Sequence, residues 1–125
     1  MPSKTAIVCD DDRTFASIIQ FVLIKKGFSA QTAENGTAAL PLIKDSQPGL
    51  VFLDLEMPEK DGFAVLEEMK GFQGAKPYVI VLSSHEAKTI HDRAYSLGAN
   101  EVWVKPFNAS ELLKRLEGLI EQGKI

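Results

Sequence analysis

Short apolar runs alternate with longer segments of helical periodicity along the whole chain. Four of the runs are nearly unbroken, which is typical of strands covered on both faces, and one stretch alternates more weakly. Their length and β-branched content favour strand over buried helix. The five predicted strands are Ala6 to Cys9, Ser29 to Ala33, Leu50 to Leu53, Tyr78 to Leu82 and Val102 to Val104.

The segments between these runs carry helix signals. Gly27 and Gly98 each follow an apolar pattern of helical spacing, so both are predicted to end a helix, Gly98 in the left-handed conformation. The last helix is predicted to begin at Asn108, because Glu111 lies at capping-box spacing from it. Apolar residues at helical spacing in the first helix are Phe15, Ile18, Ile19 and Val22.

Strand and helix alternate five times, which predicts a doubly wound α/β domain with a parallel sheet and helices on both faces. No linker or repeat interrupts the pattern, so we expect a single domain over residues 1–125. One local conflict is Pro41, which lies within the apolar helical segment from Thr37 to Ile43. We therefore expect the second helix to start late or to be kinked.

Composition excludes several classes of function. The net charge of -3 gives no broad cationic surface, so we expect no direct nucleic-acid binding. A single cysteine, Cys9, cannot form an internal disulfide and is expected to be a small core residue. No apolar stretch is long enough to cross a bilayer, so we expect no membrane insertion and a cytoplasmic location.

Polar side chains follow the predicted strands at one edge of the sheet. The carboxyl ends of parallel strands meet at the same edge, where doubly wound proteins bind ligands. Three carboxylates gathered there would repel one another unless a cation offset them, and oxygen ligands favour Mg²⁺ or a similar ion. The residues at these ends are Asp10 and Asp11, Asp54, Ser83 and Ser84, and Lys105.

Asp54 is the best candidate nucleophile among these residues. A carboxylate accepts a phosphoryl group when it is positioned in line and its charge is offset. Asp54 directly follows a buried strand and precedes a turn, so it is anchored on one side and accessible on the other. Lys105 and the Ser83 hydroxyl would interact with the phosphoryl oxygens, and the spacing favours Ser83 over Ser84.

The combination of motifs resembles the receiver domains of response regulators in two-component systems, and it covers essentially the whole chain. The resemblance implies the flavodoxin-like strand order 2-1-3-4-5. Each motif alone is weak, but their order and spacing together are specific. The matching residues are Cys9-Asp10-Asp11, Leu53-Asp54, Met57-Pro58, Asp61-Gly62, Ser83 and Lys105-Pro106-Phe107.

The resemblance also implies roles. Asp54 would be phosphorylated by a sensor histidine kinase or a phosphotransfer protein, with Mg²⁺ or Mn²⁺ as cofactor. Asp11, Asp54 and the backbone carbonyl of Glu56 would bind the metal directly, and Asp10 mainly through water. Ser83 and Lys105 would contact the phosphoryl group, with a cis Lys105-Pro106 bond. A downstream protein would bind the surface of the fourth helix, fifth strand and fifth helix.

The sequence departs from the family pattern at Val102, where receivers commonly carry an aromatic residue that switches position. Valine has no ring to move, so the mode of switching stays open. Trp103 is adjacent and should face the opposite side of the strand. We expect Trp103 to be a surface or interface residue.

Two alternative functions share part of this sequence pattern. A haloacid-dehalogenase-like phosphatase also uses an aspartyl phosphate, but it needs a second aspartate where this chain has Glu56. A receiver fold without phosphorylation is disfavoured by the retained site residues. The predicted protein is not an enzyme in the usual sense, beyond its own phosphorylation and dephosphorylation. A stand-alone regulator, a phosphate sink and an excised part of a larger regulator all stay open.

Overall fold

The computed structural model describes residues 3–125, so residues 1 and 2 of the predicted domain lie outside the described part. The strands are β1 (Thr5–Cys9), β2 (Ser29–Ala33), β3 (Leu50–Asp54), β4 (Tyr78–Ser83) and β5 (Glu101–Val104). The helices are α1 (Arg13–Lys25), α2 (Gly36–Ser46), α3 (Gly62–Met69), α4 (Lys88–Ser96) and α5 (Ala109–Glu121). Within residues 3–125, no helix is both long and apolar enough to span a bilayer.

The five strands form one parallel sheet in the order β2-β1-β3-β4-β5, which confirms the predicted fold class and strand order. All five residues of β3 are buried, because β3 lies in the middle of the sheet. The weakly patterned β2 is an edge strand whose residues are mostly exposed. Position in the sheet thus explains why the second strand gave the faintest sequence signal.

Alternate side chains of the strands enter two separate cores, one on each face of the sheet. One core joins Val8 and Phe52 to side chains of α1 and α5. The other joins Cys9 and Leu53 to side chains of α2, α3 and α4, so Cys9 is the buried core residue that was predicted. Each fully buried aliphatic side chain contributes roughly 1.5–3 kcal/mol. Burial on both faces therefore fixes the strands that carry the polar residues at their ends.

Side chains cap four of the helices at the N-terminus. Asp12, Asn35, Asp61 and Asn108 each accept a backbone N–H of the first turn of α1, α2, α3 and α5, respectively. The capping box predicted between Asn108 and Glu111 is present. The predicted glycine signals are also confirmed, since the backbone after α1 and α4 turns through glycines with φ values of 91° at Gly27 and 113° at Gly98.

One expectation about exposure was wrong, one of the two alternatives for the second helix is excluded, and one residue of the apolar pattern in α1 lies outside the core. The second helix does not start late: α2 begins at Gly36, capped by Asn35, and continues through Pro41. Ile18 is 40% exposed on α1 and does not belong to the core. Trp103 does face the side of β5 opposite to Val102, but it is only 6% exposed. The rings of Phe52 and Phe107 pack against it edge-on.

Gly62 is needed where α3 starts beside the end of β3. A Cβ atom at Gly62 would lie 2.6 Å from the backbone oxygen of Asp54 and 2.8 Å from the Cα of Leu55. We expect Gly62→Ala to lower the free energy of unfolding by about 2–3 kcal/mol, because helix and strand must separate.

Gly118, inside α5, is the matched control, since a Cβ there meets no atom within 4 Å. We expect Gly118→Ala to raise the free energy of unfolding by about 0.5–1 kcal/mol. Chemical denaturation monitored by circular dichroism measures both changes. Equal effects of the two substitutions would contradict the tight contact between α3 and β3.

Candidate functional site

The carboxyl edge of the sheet brings together polar residues that are far apart in the chain. Asp10 directly follows β1, and Asp54 is the last residue of β3. Ser83 ends β4, and Lys105 directly follows β5. The parallel register pairs Cys9 with Leu53, Asp54 with Leu82 and Ser83 with Val104, so these strands end at the same level. The predicted site residues therefore share one edge.

Three carboxylates form a cluster at this edge. One side-chain oxygen of each of Asp10, Asp11 and Asp54 lies within 4.8 Å of the others. Asp10 and Asp54 are buried, at 1% and 3% exposure, whereas Asp11 is exposed. Buried carboxylates at this spacing repel one another, and an all-oxygen donor set of this kind suits a hard divalent cation such as Mg²⁺. The residues present thus fit a metal site.

The two buried carboxylates are held by the backbone in the same way. Asp10 Oδ1 accepts the N–H of Asp12 at 2.9 Å, and Asp54 Oδ1 accepts the N–H of Glu56 at 3.1 Å. Each carboxylate thereby has one oxygen fixed by the loop that follows its strand. The second oxygen of each faces Lys105.

Lys105 is the cation that the chain itself supplies. Its Nζ lies 3.0 Å from Asp10 Oδ2 and 3.5 Å from Asp54 Oδ2. Burial disfavours the ammonium, but the hydrogen bond to Asp10 and the charges of both carboxylates raise the pKa of Lys105 above its ordinary value. The Lys105-Pro106 peptide bond is cis, as expected. One ammonium against three carboxylates leaves a net negative site.

The ring of Phe15 lies beneath Lys105. The Nζ of Lys105 is 4.9 Å from the centroid of this ring, within the range of a cation–π interaction. Phe15 itself packs edge-on against Phe107 at 4.9 Å between centroids. The sequence pattern marked Phe15 only as a core residue of the first helix. The available signal was its position in the first turn of a helix that starts from the same edge of the sheet.

Burial is the main reason why the pKa of Asp54 rises, from 3.8 to about 7. The backbone hydrogen bond from Glu56 lowers the pKa, the charge of Asp10 raises it and the charge of Lys105 lowers it. Without a further cation, ionisation of Asp54 therefore costs free energy in the folded protein.

The two serines after β4 have different environments. Ser83 is fully buried, and its Oγ accepts the N–H of His85 at 3.0 Å and donates to the carbonyl of His85 at 3.1 Å. Ser84 is exposed and hydrogen-bonds to the carboxylate of Glu56. This bond, together with the charge of His85 at 3.6 Å, lowers the pKa of Glu56 although burial opposes the shift.

Comparison with known proteins supports the same picture. A family model described as the response regulator receiver domain matches residues 6–117. The chain belongs to this family. Receivers are signalling domains that accept a phosphoryl group and are generally not enzymes in the usual sense. The acidic cluster at the sheet edge is compatible with the Mg²⁺ that receivers typically bind.

Solved receiver structures resemble this one closely. The signal receiver domain of a Bermanella marisrubri response regulator is 32% identical, with a TM-score of 0.79 over 94% of this chain and 98% of that one. NtrX from Brucella abortus is 31% identical, with a TM-score of 0.83 over 99% of this chain but 28% of that one. The Vibrio cholerae chemotaxis protein CheY4, at 24% identity, shares the fold, with a TM-score of 0.82 over 93% of this chain and 98% of that one.

Asp54→Asn tests the charge repulsion in the metal-free receiver. The folded protein holds the Asp54 proton more tightly than the unfolded chain, so stability falls as pH rises from 3.8 to about 7. We expect the variant to exceed wild type by about 1–3 kcal/mol in free energy of unfolding near pH ~8 and to match it near pH ~4. Urea unfolding in the presence of a chelator measures this difference.

Asp12→Asn is the control for this experiment. Asp12 is exposed, and its side chain caps α1, a role that asparagine also fills. We expect this variant to keep the pH dependence of wild type. A pH dependence unchanged by Asp54→Asn would show that Asp54 is not the buried carboxyl responsible.

Proposed function

We propose that Asp54 accepts a phosphoryl group from a phosphohistidine, carried by a sensor histidine kinase or a phosphotransfer protein. The observation that supports this proposal is the position of Asp54: buried at the end of β3, fixed by the N–H of Glu56 and close to Asp10, Asp11 and Lys105. Lys105 compensates part of the negative charge at the point where a phosphoryl group would arrive, and the carboxylates would hold the cation that compensates the rest.

The transfer replaces one bond by another. A carboxylate oxygen of Asp54 forms the new O–P bond while the N–P bond of phosphohistidine breaks, and the ring nitrogen keeps the electron pair of that bond, with a proton on the imidazole so that neutral histidine leaves. The attack requires Asp54 to be ionised, which the raised pKa of this residue opposes. Charge compensation at the site is therefore needed before the transfer as well as during it.

Asp11, Asp54 and the backbone carbonyl of Glu56 would hold Mg²⁺ or Mn²⁺ directly, and Asp10 would hold it mainly through water. The carboxylate spacing and the oxygen-only donor set support a metal at Asp10, Asp11 and Asp54, and the resemblance to receivers suggests the roles of the Glu56 carbonyl and of water at Asp10. Such an ion would offset the negative charge that accumulates when a phosphoryl group meets three carboxylates. Asp10 also fixes Lys105 through the contact at 3.0 Å and so orients the ammonium toward Asp54.

Lys105 and Ser83 would contact the phosphoryl oxygens. The Nζ of Lys105 lies 3.5 Å from Asp54 Oδ2, so a small movement brings it to an oxygen of a phosphoryl group on Asp54. The Ser83 hydroxyl donates to the carbonyl of His85 and would have to exchange this acceptor for a phosphoryl oxygen. That exchange would release the loop between β4 and α4. The domain would then have two conformations, with the loop held or released, and phosphorylation would shift their populations.

The released loop leads into the surface of α4, β5 and α5, where a downstream protein would bind. Val102 in β5 lacks the ring that commonly switches in this family, but its N–H donates to the hydroxyl of Tyr95 on α4 at 3.2 Å. This bond ties α4 to β5 in the unphosphorylated protein. The proposed receiver occupies residues 1–125, works in the cytoplasm, and acts alone, as a phosphate sink or as part of a larger regulator.

A phosphatase function is less well supported. The phosphatases that use an aspartyl phosphate need a second acid aimed at the leaving group, and Glu56 is the only residue at that position. The Glu56 side chain is exposed and is bound to Ser84 and His85. The Glu56 side chain therefore contacts the loop after β4 and not the acidic cluster.

Intact mass after incubation with acetyl phosphate and Mg²⁺ tests the proposal. We expect one added phosphoryl group on wild type and none on Asp54→Asn, because Asp54 is the proposed acceptor and an asparagine amide cannot form the acyl phosphate. Asp45→Asn, at the exposed end of α2, is the matched control and should be phosphorylated like wild type. Continuous hydrolysis of a generic phosphomonoester by wild type would favour the phosphatase instead.

Phe15→Leu tests the support beneath Lys105. Leucine keeps an apolar side chain but removes the ring face, so we expect phosphorylation by acetyl phosphate to slow by about threefold, with Phe15→Tyr close to wild type. Phe21→Leu on the same helix is the control, because Phe21 is 60% exposed and pairs with Lys25 instead. Equal rates for Phe15→Leu and wild type would mean that the ring does not position Lys105.

A further inference from the structure

A cavity of about 350 Å³ lies at the opposite edge of the sheet from the carboxylate cluster. It is bounded by the C-terminal ends of α2, α3 and α4 and by the start of β4. Its size falls within the range of small-molecule sites in proteins. The apolar side chains that line it are mainly Ile43, Leu66, Met69, Phe72, Val79 and Leu97.

Three lysines line this cavity together with the apolar residues. Lys44 lies in the last turn of α2, Lys70 follows α3 and Lys76 precedes β4, and none of the lining residues is acidic. The chain as a whole has 17 acidic and 14 basic residues, so this local excess of positive charge runs against the overall composition. Lys44, Lys70 and Lys76 form no ion pair with any acid within residues 3–125.

The partial negative charges at the helix C-termini balance only part of the positive charge of the three lysines. Lys76 Nζ lies 3.4 Å from the carbonyl oxygens of Lys70 and Phe72, as expected for a lysine beside a helix C-terminus. Each helix end carries roughly half a negative charge, so three helix ends amount to about -1.5. Three ammonium groups therefore leave a clear positive surplus at the mouth of an apolar cavity.

Tyr95 connects this cavity to the fifth strand. Its side chain lines the cavity and remains 48% exposed, and its hydroxyl accepts the N–H of Val102. Tyrosine combines a large apolar ring with a polar tip, which suits contact with an amphipathic ligand. A ligand in the cavity would touch the residue that joins α4 to β5.

We infer that this cavity binds a small molecule with an apolar body and a single anionic head, such as a medium-chain carboxylate. The body packs against the apolar wall, and the head lies among Lys44, Lys70 and Lys76. Occupancy of the cavity is transmitted through Tyr95 to the backbone of Val102. This binding does not depend on phosphorylation of Asp54.

Octanoate, octanol and octylamine form a matched set of probes that differ only in the head group. Titration followed by amide and methyl NMR shifts gives the affinity and the location of each. We expect octanoate to bind about fivefold more tightly than octanol at low salt, with the difference shrinking as salt screens the lysines. We expect octylamine to bind more weakly than octanol. Equal binding of all three probes would overturn the inference.

Two kinds of substitution test the lysine charges and the space in the cavity separately. Lys44→Gln/Lys70→Gln/Lys76→Gln should abolish the preference for octanoate over octanol, whereas Lys25→Gln/Lys114→Gln/Lys124→Gln, outside the lining, should keep most of it. Ala75→Trp, at the exposed rim, should block both probes. Binding that survives Ala75→Trp, or shifts centred on α1, would contradict the assignment.

Tyr95→Phe tests the connection to β5. The variant should still bind octanoate, but the shift of the Val102 amide on binding should be lost, since the hydroxyl that it contacts is gone. Sedimentation distinguishes another occupant: a dimer that dissociates when Ala75→Trp is introduced would assign the cavity to a second copy of the chain and overturn the small-molecule inference.

Discussion

Repulsion between carboxylates at one edge of the sheet is the constraint on which the rest of the site depends. Asp10 and Asp54 are almost completely buried, with Asp11 beside them, and among residues 3–125 only Lys105 forms ion pairs with Asp10 and Asp54. A protein tolerates such a cluster only when the surrounding structure fixes it. The buried β1 and β3 do so, because burial on both faces prevents the strand ends from moving apart. The same repulsion favours the binding of a cation and reaction with an electrophile such as a phosphoryl group.

Much of the fold could be predicted from sequence because the interior strands are locally unambiguous. Val51-Phe52-Leu53 can only be covered on both faces, and the residue that follows it must emerge at the carboxyl edge. The alternation of strands and helices then predicted a shared edge for Asp10, Asp54 and Lys105, and the resemblance to receivers supplied the strand order. Helix ends at Gly27 and Gly98 were equally local, because a positive φ is required at one residue.

The errors arose where the outcome depends on distant residues. Trp103 is on an edge strand, but α5 covers that face, which the pattern around Trp103 does not reveal. A late start of α2 is excluded for a local reason, because the cap at Asn35 outweighs the one hydrogen bond that Pro41 cannot donate. The contact between Phe15 and Lys105 joins opposite ends of the chain, and the position of Phe15 in the first turn of α1 is the one signal that points to it.

The division of the interior into two cores has a consequence for β5. Val102 packs with the layer of α2, α3 and α4, and the next residue, Trp103, packs with the layer of α1 and α5. Neighbouring side chains of one short strand are thus engaged on both sides of the sheet. A displacement of β5 along its own axis would therefore move the helices on both faces of the sheet at once. Rotation of a single aromatic ring would not be needed.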